Sequence, residues 1–217
     1  MIIFGICGKK QAGKDTFANF GCSLLRDEGI TVAKSSFAGP LKQFVIDYLG
    51  VPEWLPSGSN EDKAFEMGKW GDFFNRELCS LNGRSTDDTV TVRELLQVYG
   101  TDVFRSVHSD FWVDVFKSRT LNGKFDEIFG EGTPEIVFIT DVRFENEVNA
   151  INSVGGHVVK LEREIYSDGH KSEASVDLIP LNSFYKVFSK EDLSGLESVK
   201  PLVADTMRQI GIINGTR

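Results

Sequence analysis

One stretch near the start constrains the fold more than any other. An apolar run, Ile2-Ile3-Phe4-Gly5-Ile6-Cys7, leads into Gly8-Lys9-Lys10-Gln11-Ala12-Gly13-Lys14-Asp15-Thr16, and then into a segment with helical spacing at Phe17, Phe20, Leu24 and Leu25. Buried strand, glycine loop and helix in that order predict a phosphate-binding turn. Gly8 and Gly13 permit torsions that residues with a β-carbon resist, so successive N–H groups can face one anion. Lys14 adds a full charge beside the partial positive charge of the helix N-terminus. Where the usual pattern has Ser or Thr for magnesium, this chain has Asp15 and then Thr16. Asp15 either holds Mg²⁺, with Thr16 as a nearby hydroxyl, or stabilises the first helical turn, where negative charge is favoured.

The remaining composition narrows the partners. With 24 Lys and Arg against 32 Asp and Glu, the net charge is −8, the wrong sign for a protein whose main partner is a nucleic acid polymer. Small phosphorylated ligands remain compatible with it. At 217 residues the chain can bury one substantial core, and a single domain with insertions is expected. No apolar run approaches the roughly 20 residues of a membrane span, so a soluble protein is expected. Cys7, Cys22 and Cys79 have no metal spacing and cannot all pair, which suits a reducing cytoplasm. His108, His157 and His170 are too scattered for a metal site.

Further along, strands and helices alternate. Thr31 to Phe37 reads as a second strand, and Pro40 as the first turn of a helix to about Leu49. Val51 to Val90, broken by prolines and glycines, reads as an insertion. Val92, Leu95, Leu96, Tyr99 and Val103 mark the buried face of a helix on which Arg93 and Gln97 share another face. A helix over Asp110 to Arg119, a central strand at Ile136 to Ile139 and a helix from about Arg143 to Val154 follow. Then come a strand at His157 to Leu161, an irregular charged segment, a strand near Tyr185 to Phe188 and a last helix from Leu193 to about Ile210. Such alternation predicts a parallel sheet covered on both faces, with ligands at the carboxyl ends of the strands.

Several charged residues fall at that edge. Asp141, where a buried strand meets solvent, is placed to orient Mg²⁺ or to cap the next helix. Arg143 is close enough to reach a phosphate; Arg93, Arg105 and Arg163 are further candidates, each either a phosphate ligand or a solvated surface residue. Residues 163 to 173 have the make-up of a closing lid or of an ordinary surface loop. Phe37, Trp70, Phe73 and Trp112 suit either base stacking or core packing.

Taken together, Gly13 to Thr16, Phe37-Ala38-Gly39-Pro40-Leu41-Lys42, Val92-Arg93-Glu94-Leu95-Leu96-Gln97 with Gly100-Thr101-Asp102, Asp141-Val142-Arg143-Phe144-Glu145-Asn146-Glu147 and His170-Lys171-Ser172-Glu173 resemble the deoxynucleoside monophosphate kinases of bacteriophages. The resemblance runs over nearly the whole chain. It implies an α/β three-layer sandwich of the P-loop NTPase class, adenylate-kinase-like, with a helical insertion and a lid at about 163–174. The implied reaction moves the γ-phosphoryl of ATP to a deoxynucleoside 5′-monophosphate with Mg²⁺, in the cytoplasm of a cell or of a phage host. Gly8, Lys9, Ala12, Gly13, Lys14, Asp15 and Thr16 would then hold ATP; Lys42, Arg93, Gln97, Arg143 and Glu147 would face the acceptor; Asp15, Thr16 and Asp141 would serve the metal. Lys14, Asp141, Arg143 and Arg163 would form the catalytic set. Family members often carry Arg-Ser before the second loop glycine, where this chain has Gln11-Ala12, and Lys9 and Lys10 are the nearest substitutes for the missing charge. The resemblance leaves a homodimer open.

Two rival readings share these residues. One is a kinase of another phosphorylated acceptor, of the phosphomevalonate or dephospho-coenzyme A type. The other is a nucleotide-binding switch or assembly ATPase, which would need a water-positioning residue and a partner surface.

Overall fold

The computed structural model describes residues 1–121, 133–163 and 171–213. In chain order its elements begin with β1 (Ile2–Gly8), α1 (Lys14–Asp27), β2 (Val32–Ser35), α2 (Gly39–Leu49), β3 (Glu66–Lys69), α3 (Trp70–Phe73), α4 (Arg76–Leu81) and β4 (Thr89–Thr91). Next are α5 (Val92–Gln97), a π-helical stretch Val98–Val103, α6 (Phe104–Val107), α7 (Phe111–Phe116) and a second π-helical stretch Lys117–Leu121. The chain then forms β5 (Ile136–Val142), α8 (Glu145–Ser153), β6 (His157–Leu161), α9 (Lys171–Leu178), β7 (Lys186–Phe188) and α10 (Leu196–Gln209). Two compact units result, Met1–Phe37 with Trp112–Arg217, and Ala38–Phe111. Among the described residues no helix is long and apolar enough to cross a membrane.

The first unit is built on a parallel sheet in the order β2-β5-β1-β6-β7. Strand residues alternate between two apolar layers, as the two-residue period requires. Phe4, Ile6, Phe138 and Val159 pack with Phe17, Cys22 and Leu25 of α1 and Val203 and Met207 of α10. On the opposite face, Ile3, Cys7, Val137, Ile139 and Val158 pack with Val148 and Ile151 of α8 and Val176 of α9. Full burial of each large side chain stabilises by about 1.5–3 kcal/mol, enough in aggregate to fix strand register. At Gly21 a β-carbon would stand 2.6 Å from the Phe138 ring, so glycine lets α1 lie closely on the sheet.

The five strands expected from sequence are present, and shifts at the ends of two of them matter for the site. β2 ends at Ser35 because the chain turns away, and the Phe37 N–H donates to Asp141 Oδ1 at 2.9 Å. β5 runs on to Val142 because pairing with β1 resumes after an irregularity between Gly5 and Cys7.

In the second unit α2 begins at Gly39 with Pro40 in its first turn, as expected. The expected insertion, 51–90, lies within a wider unit and contains an antiparallel β3–β4 pair with Gly68 opposite Val90. Its core is aromatic: Trp70 and Phe74 are 4.9 Å apart, Phe74 and Tyr99 5.1 Å, and Phe44 and Tyr99 5.3 Å between ring centres. Thr91 and Glu94 cap α5 reciprocally, Thr91 N–H to Glu94 Oε2 at 2.8 Å and Glu94 N–H to Thr91 Oγ1 at 3.3 Å. Sequence periodicity predicts one α-helix through Val103, but the chain passes into a π-helix at Val98. The wider π turn rotates the buried face, so Val98 and Gly100 are buried while Leu96, Tyr99 and Val103 are only partly so.

Candidate active site

The loop after β1 is shaped by close approach and by two left-handed residues. A β-carbon on Gly8 would lie 3.0 Å from the Leu161 carbonyl oxygen and 3.1 Å from Ala12 Cβ, so Gly8 serves contact with β6. The left-handed torsions fall at Gly13 (φ 95°) and at Gln11 (φ 62°), which corrects the expectation that Gly8 needs one. Ala12 is 2% exposed and belongs to the core beside α1. Gly13 caps α1 without a side-chain hydrogen bond, and Phe17 N–H donates to its carbonyl at 2.9 Å. The first-turn N–H groups are therefore available to an anion.

Lys14 folds back over the loop, donating to the carbonyls of Gly8 at 2.7 Å and Lys9 at 2.6 Å. Burial, and then the charge of Arg143, pull its ammonium down from the ordinary lysine value to about 8. A polyphosphate would offset both effects. Burial pushes the Cys7 thiol up to about 12, so this cysteine beside the loop is inert as a nucleophile.

Strand register brings the second group of residues to the same edge. Cys7 lies opposite Val142 and Gly8 opposite Leu161, so Asp141 at the end of β5, Arg143 just after it and Arg163 just after β6 flank the end of β1. Arg143 Nη1 pairs with Glu173 Oε1 at 2.5 Å, while Glu173 Oε2 accepts the Lys10 N–H at 2.7 Å. Glu173 is 1% exposed. One helical turn later, Asp177 pairs with Lys9 Nζ at 2.8 Å. Both acids belong to α9, so the loop is held from one helix at two points.

Glu147 requires a correction. Expected near the acceptor, it is 2% exposed, and its Oε2 accepts the N–H groups of Arg143 at 2.8 Å and Phe144 at 3.2 Å. It caps α8 and fixes the backbone at Arg143, as a buried carboxylate near a helix N-terminus does. Arg105 likewise has a local role, with Nη1 donating to the Ser109 carbonyl at 3.0 Å. Phe37, Trp70 and Trp112 are buried core residues, each at most 5% exposed, while Phe73 is partly buried. As for the expected lid, residues 164–170 lie outside the described residues, and α9 starts at Lys171.

Two cavities adjoin the loop. One, of about 230 Å³, is lined by Ala12, Gly13, Thr16, Phe17, Leu161, Arg163, Leu193 and Val199, among others. The other, of about 450 Å³, is lined by Lys9, Lys160, Glu162, Arg163, Asp177 and Lys190, among others. Arg163 borders both. Thr16 thus faces a cavity with an apolar wall, and Asp15 is exposed in the first turn of α1. Among the described residues no three His, Cys, Asp or Glu side chains gather into a metal cage. Asp15 and Asp141 are carboxylates, the hard oxygen donors that Mg²⁺ takes alongside substrate phosphates.

The other expected ligands belong to the second unit. Lys42 stands in the first turn of α2, and Arg93 and Gln97 on α5. Arg93 Nη2 donates to Asn60 Oδ1 at 2.9 Å, a neutral partner. Sequence reasoning assigned no task to Glu173 or Asp177. Their four-residue spacing was the available signal, since it puts two acids on one helical face.

Comparison with known proteins bears directly on this arrangement. The sequence profile for "Deoxynucleotide monophosphate kinase" matches residues 58–196, a span that includes Arg93, Asp141, Arg143, Arg163 and Glu173 but not the phosphate loop. The chain is also 23% identical over 184 residues to an Acanthamoeba polyphaga mimivirus protein whose name proposes it as a deoxynucleotide monophosphate kinase, with 85% of this chain and 86% of that protein covered. A profile matched over more than half of the chain, on a parallel α/β frame, places this chain in the deoxynucleotide monophosphate kinase family, and it is a phosphotransferase.

Proposed function

We propose that the chain transfers the γ-phosphoryl of ATP to a deoxynucleoside 5′-monophosphate, giving the diphosphate and ADP. The observation that carries this reading is that two cations are held at the loop: Lys14 Nζ donates to the carbonyls of Gly8 and Lys9, and Arg143 is tied through Glu173 to the Lys10 N–H. Two cations held that close favour a ligand of high negative charge density. In the transfer, the bond from the γ-phosphorus to the bridging oxygen breaks and one to an acceptor phosphate oxygen forms. That oxygen is already anionic, so no general base is needed.

Within this reading the loop amides and Lys14 hold the ATP phosphates, and Thr16 and Arg163 meet the nucleotide at the smaller cavity. Arg143 offsets charge on the moving phosphoryl. Lys42, Arg93 and Gln97 recognise the acceptor. Asp141 and Asp15 are the residues that would hold Mg²⁺, whose bound charge neutralises phosphate oxygens. The reaction is assigned to the cytoplasm, with small molecules as the partners.

The test is ADP production with ATP and Mg²⁺ as dAMP, dCMP, dGMP and dTMP are added in turn, with phosphomevalonate and dephospho-coenzyme A as controls. ADP formation that depends on one or more deoxynucleotides is expected. Turnover with a control acceptor alone would move the chain to another kinase class, and slow hydrolysis indifferent to every acceptor would favour a switch.

A further inference from the structure

We propose that Glu173 is a positioning residue that couples the phosphate loop to Arg143. The inference rests on the phosphoryl-transfer reading above, in which Arg143 meets the moving phosphoryl. Its two carboxylate oxygens are divided between two parts of the site: Oε1 takes the Arg143 guanidinium at 2.5 Å and Oε2 the Lys10 backbone N–H at 2.7 Å. The side chain is 2% exposed, whereas that of Arg143 is 29% exposed. The arginine therefore retains an open side while its inner side is fixed, as a group that must meet a ligand requires.

Burial makes this link specific. A carboxylate withdrawn from water is costly unless both oxygens are satisfied, and here one charge-assisted bond and one backbone bond satisfy them. Displacement of either donor would strand a buried charge, so loop and arginine hold each other in place. Lys10 directly precedes Gln11, the non-glycine left-handed residue of the loop, so the contact also restrains the point where the backbone is least favourable. Glu147 fixes the backbone N–H of Arg143 from α8, and Glu173 fixes its guanidinium from α9. Backbone and head group are thereby set independently. A neutral head would not reproduce this, because an amide has one acceptor oxygen and would turn an NH₂ group toward one of the two donors.

The test is steady-state kinetics on Glu173→Gln, Arg143→Ala and the double variant, each checked for folding by thermal melting, with ATP and the best deoxynucleotide. Glu173→Gln should lower kcat at least about tenfold, because a small misplacement of a charge-stabilising group is costly in the transition state. In the Arg143→Ala background the same change should lower kcat by no more than about twofold, since the group it orients is gone. A rise in KM for ATP, reflecting the Lys10 contact, should persist in the double variant. Glu173→Asp, which retains the charge on a shorter arm, should recover part of the kcat lost in Glu173→Gln. Unchanged kcat in folded Glu173→Gln, or kcat losses that multiply in the double variant, would overturn the proposal. So would failure of both single Glu173 variants to fold, which would make the residue structural only. Absence of deoxynucleotide-dependent turnover in the unmodified protein would instead overturn the reading on which the proposal rests.

Discussion

The two units solve the same problem, burial of apolar surface, by different means. Unit Met1–Phe37 with Trp112–Arg217 does so with aliphatic strand residues in a parallel sheet, and register then carries its charged residues to one edge. Unit Ala38–Phe111 relies on short helices, a two-strand pair and a chain of aromatic contacts. The cations differ accordingly. Lys14 is partly desolvated and repelled by a like charge, while Arg93 is satisfied by a neutral amide.

Lys14 carries the largest expected effect. Lys14→Ala should lower kcat by at least about 10²–10³-fold while leaving the protein folded, in line with loss of one preorganised electrostatic donor. Near-normal turnover in the folded variant would remove the loop from the mechanism.

The contrast between arginines is the next test. Arg143→Ala should mainly lower kcat, by about 10²-fold, and Arg93→Ala should mainly raise KM for the deoxynucleotide, by about tenfold. Both variants should leave KM for ATP less affected. Varying each substrate separately decides it, and the reverse pattern would exchange the roles of the two residues.

A smaller effect should appear with pH. Lys14 in the nucleotide-free protein loses its proton near pH 8, below the ordinary lysine value. Its charge is thus fully present below that pH and lost above it, so kcat/KM for ATP should fall as pH rises through about 8. For stability the sign is opposite: between about 8 and the ordinary value of 10.5 the unfolded chain holds a proton that the folded one lacks, so Lys14 contributes stability that grows with pH. Lys14→Arg should abolish the kinetic decline, and a decline retained in that variant would assign it to another group.

The smallest expected effect sharpens the structural half of the comparison. Tyr99 Oη donates to the Phe73 carbonyl at 3.0 Å within the aromatic core. Tyr99→Phe should destabilise unit Ala38–Phe111 by about 1 kcal/mol, measured by denaturant melting, with KM for ATP unchanged.

How much of this was legible beforehand differs between the units for the same reason. β6 falls where residue pattern puts it, His157–Leu161, and β1 nearly so, because a short apolar run bounded by turn residues is a local signal. The π-helix at Val98–Val103 was not legible, since an α-helical period describes those residues equally well and packing between Gly100 and Leu41, where a β-carbon would come within 2.8 Å, is a long-range contact. Glu147 is ambiguous in sequence for a related reason. Its residue type suits either a ligand or a cap, and only burial distinguishes them.

The alternation of strands and helices, the glycine loop after β1 and the residue types available at the sheet edge are written in the residue order, because these depend on neighbours within a few positions. Tertiary structure decided which charges meet. Glu173 lies 163 residues from Lys10 and reaches it only because α9 packs on the sheet face that also carries α8. The lowered basicity of Lys14, the fixed guanidinium of Arg143 and the cap made by Glu147 all arise from desolvation and pairing. Those are properties of the space around a side chain, and the folded chain fills that space with residues remote in sequence.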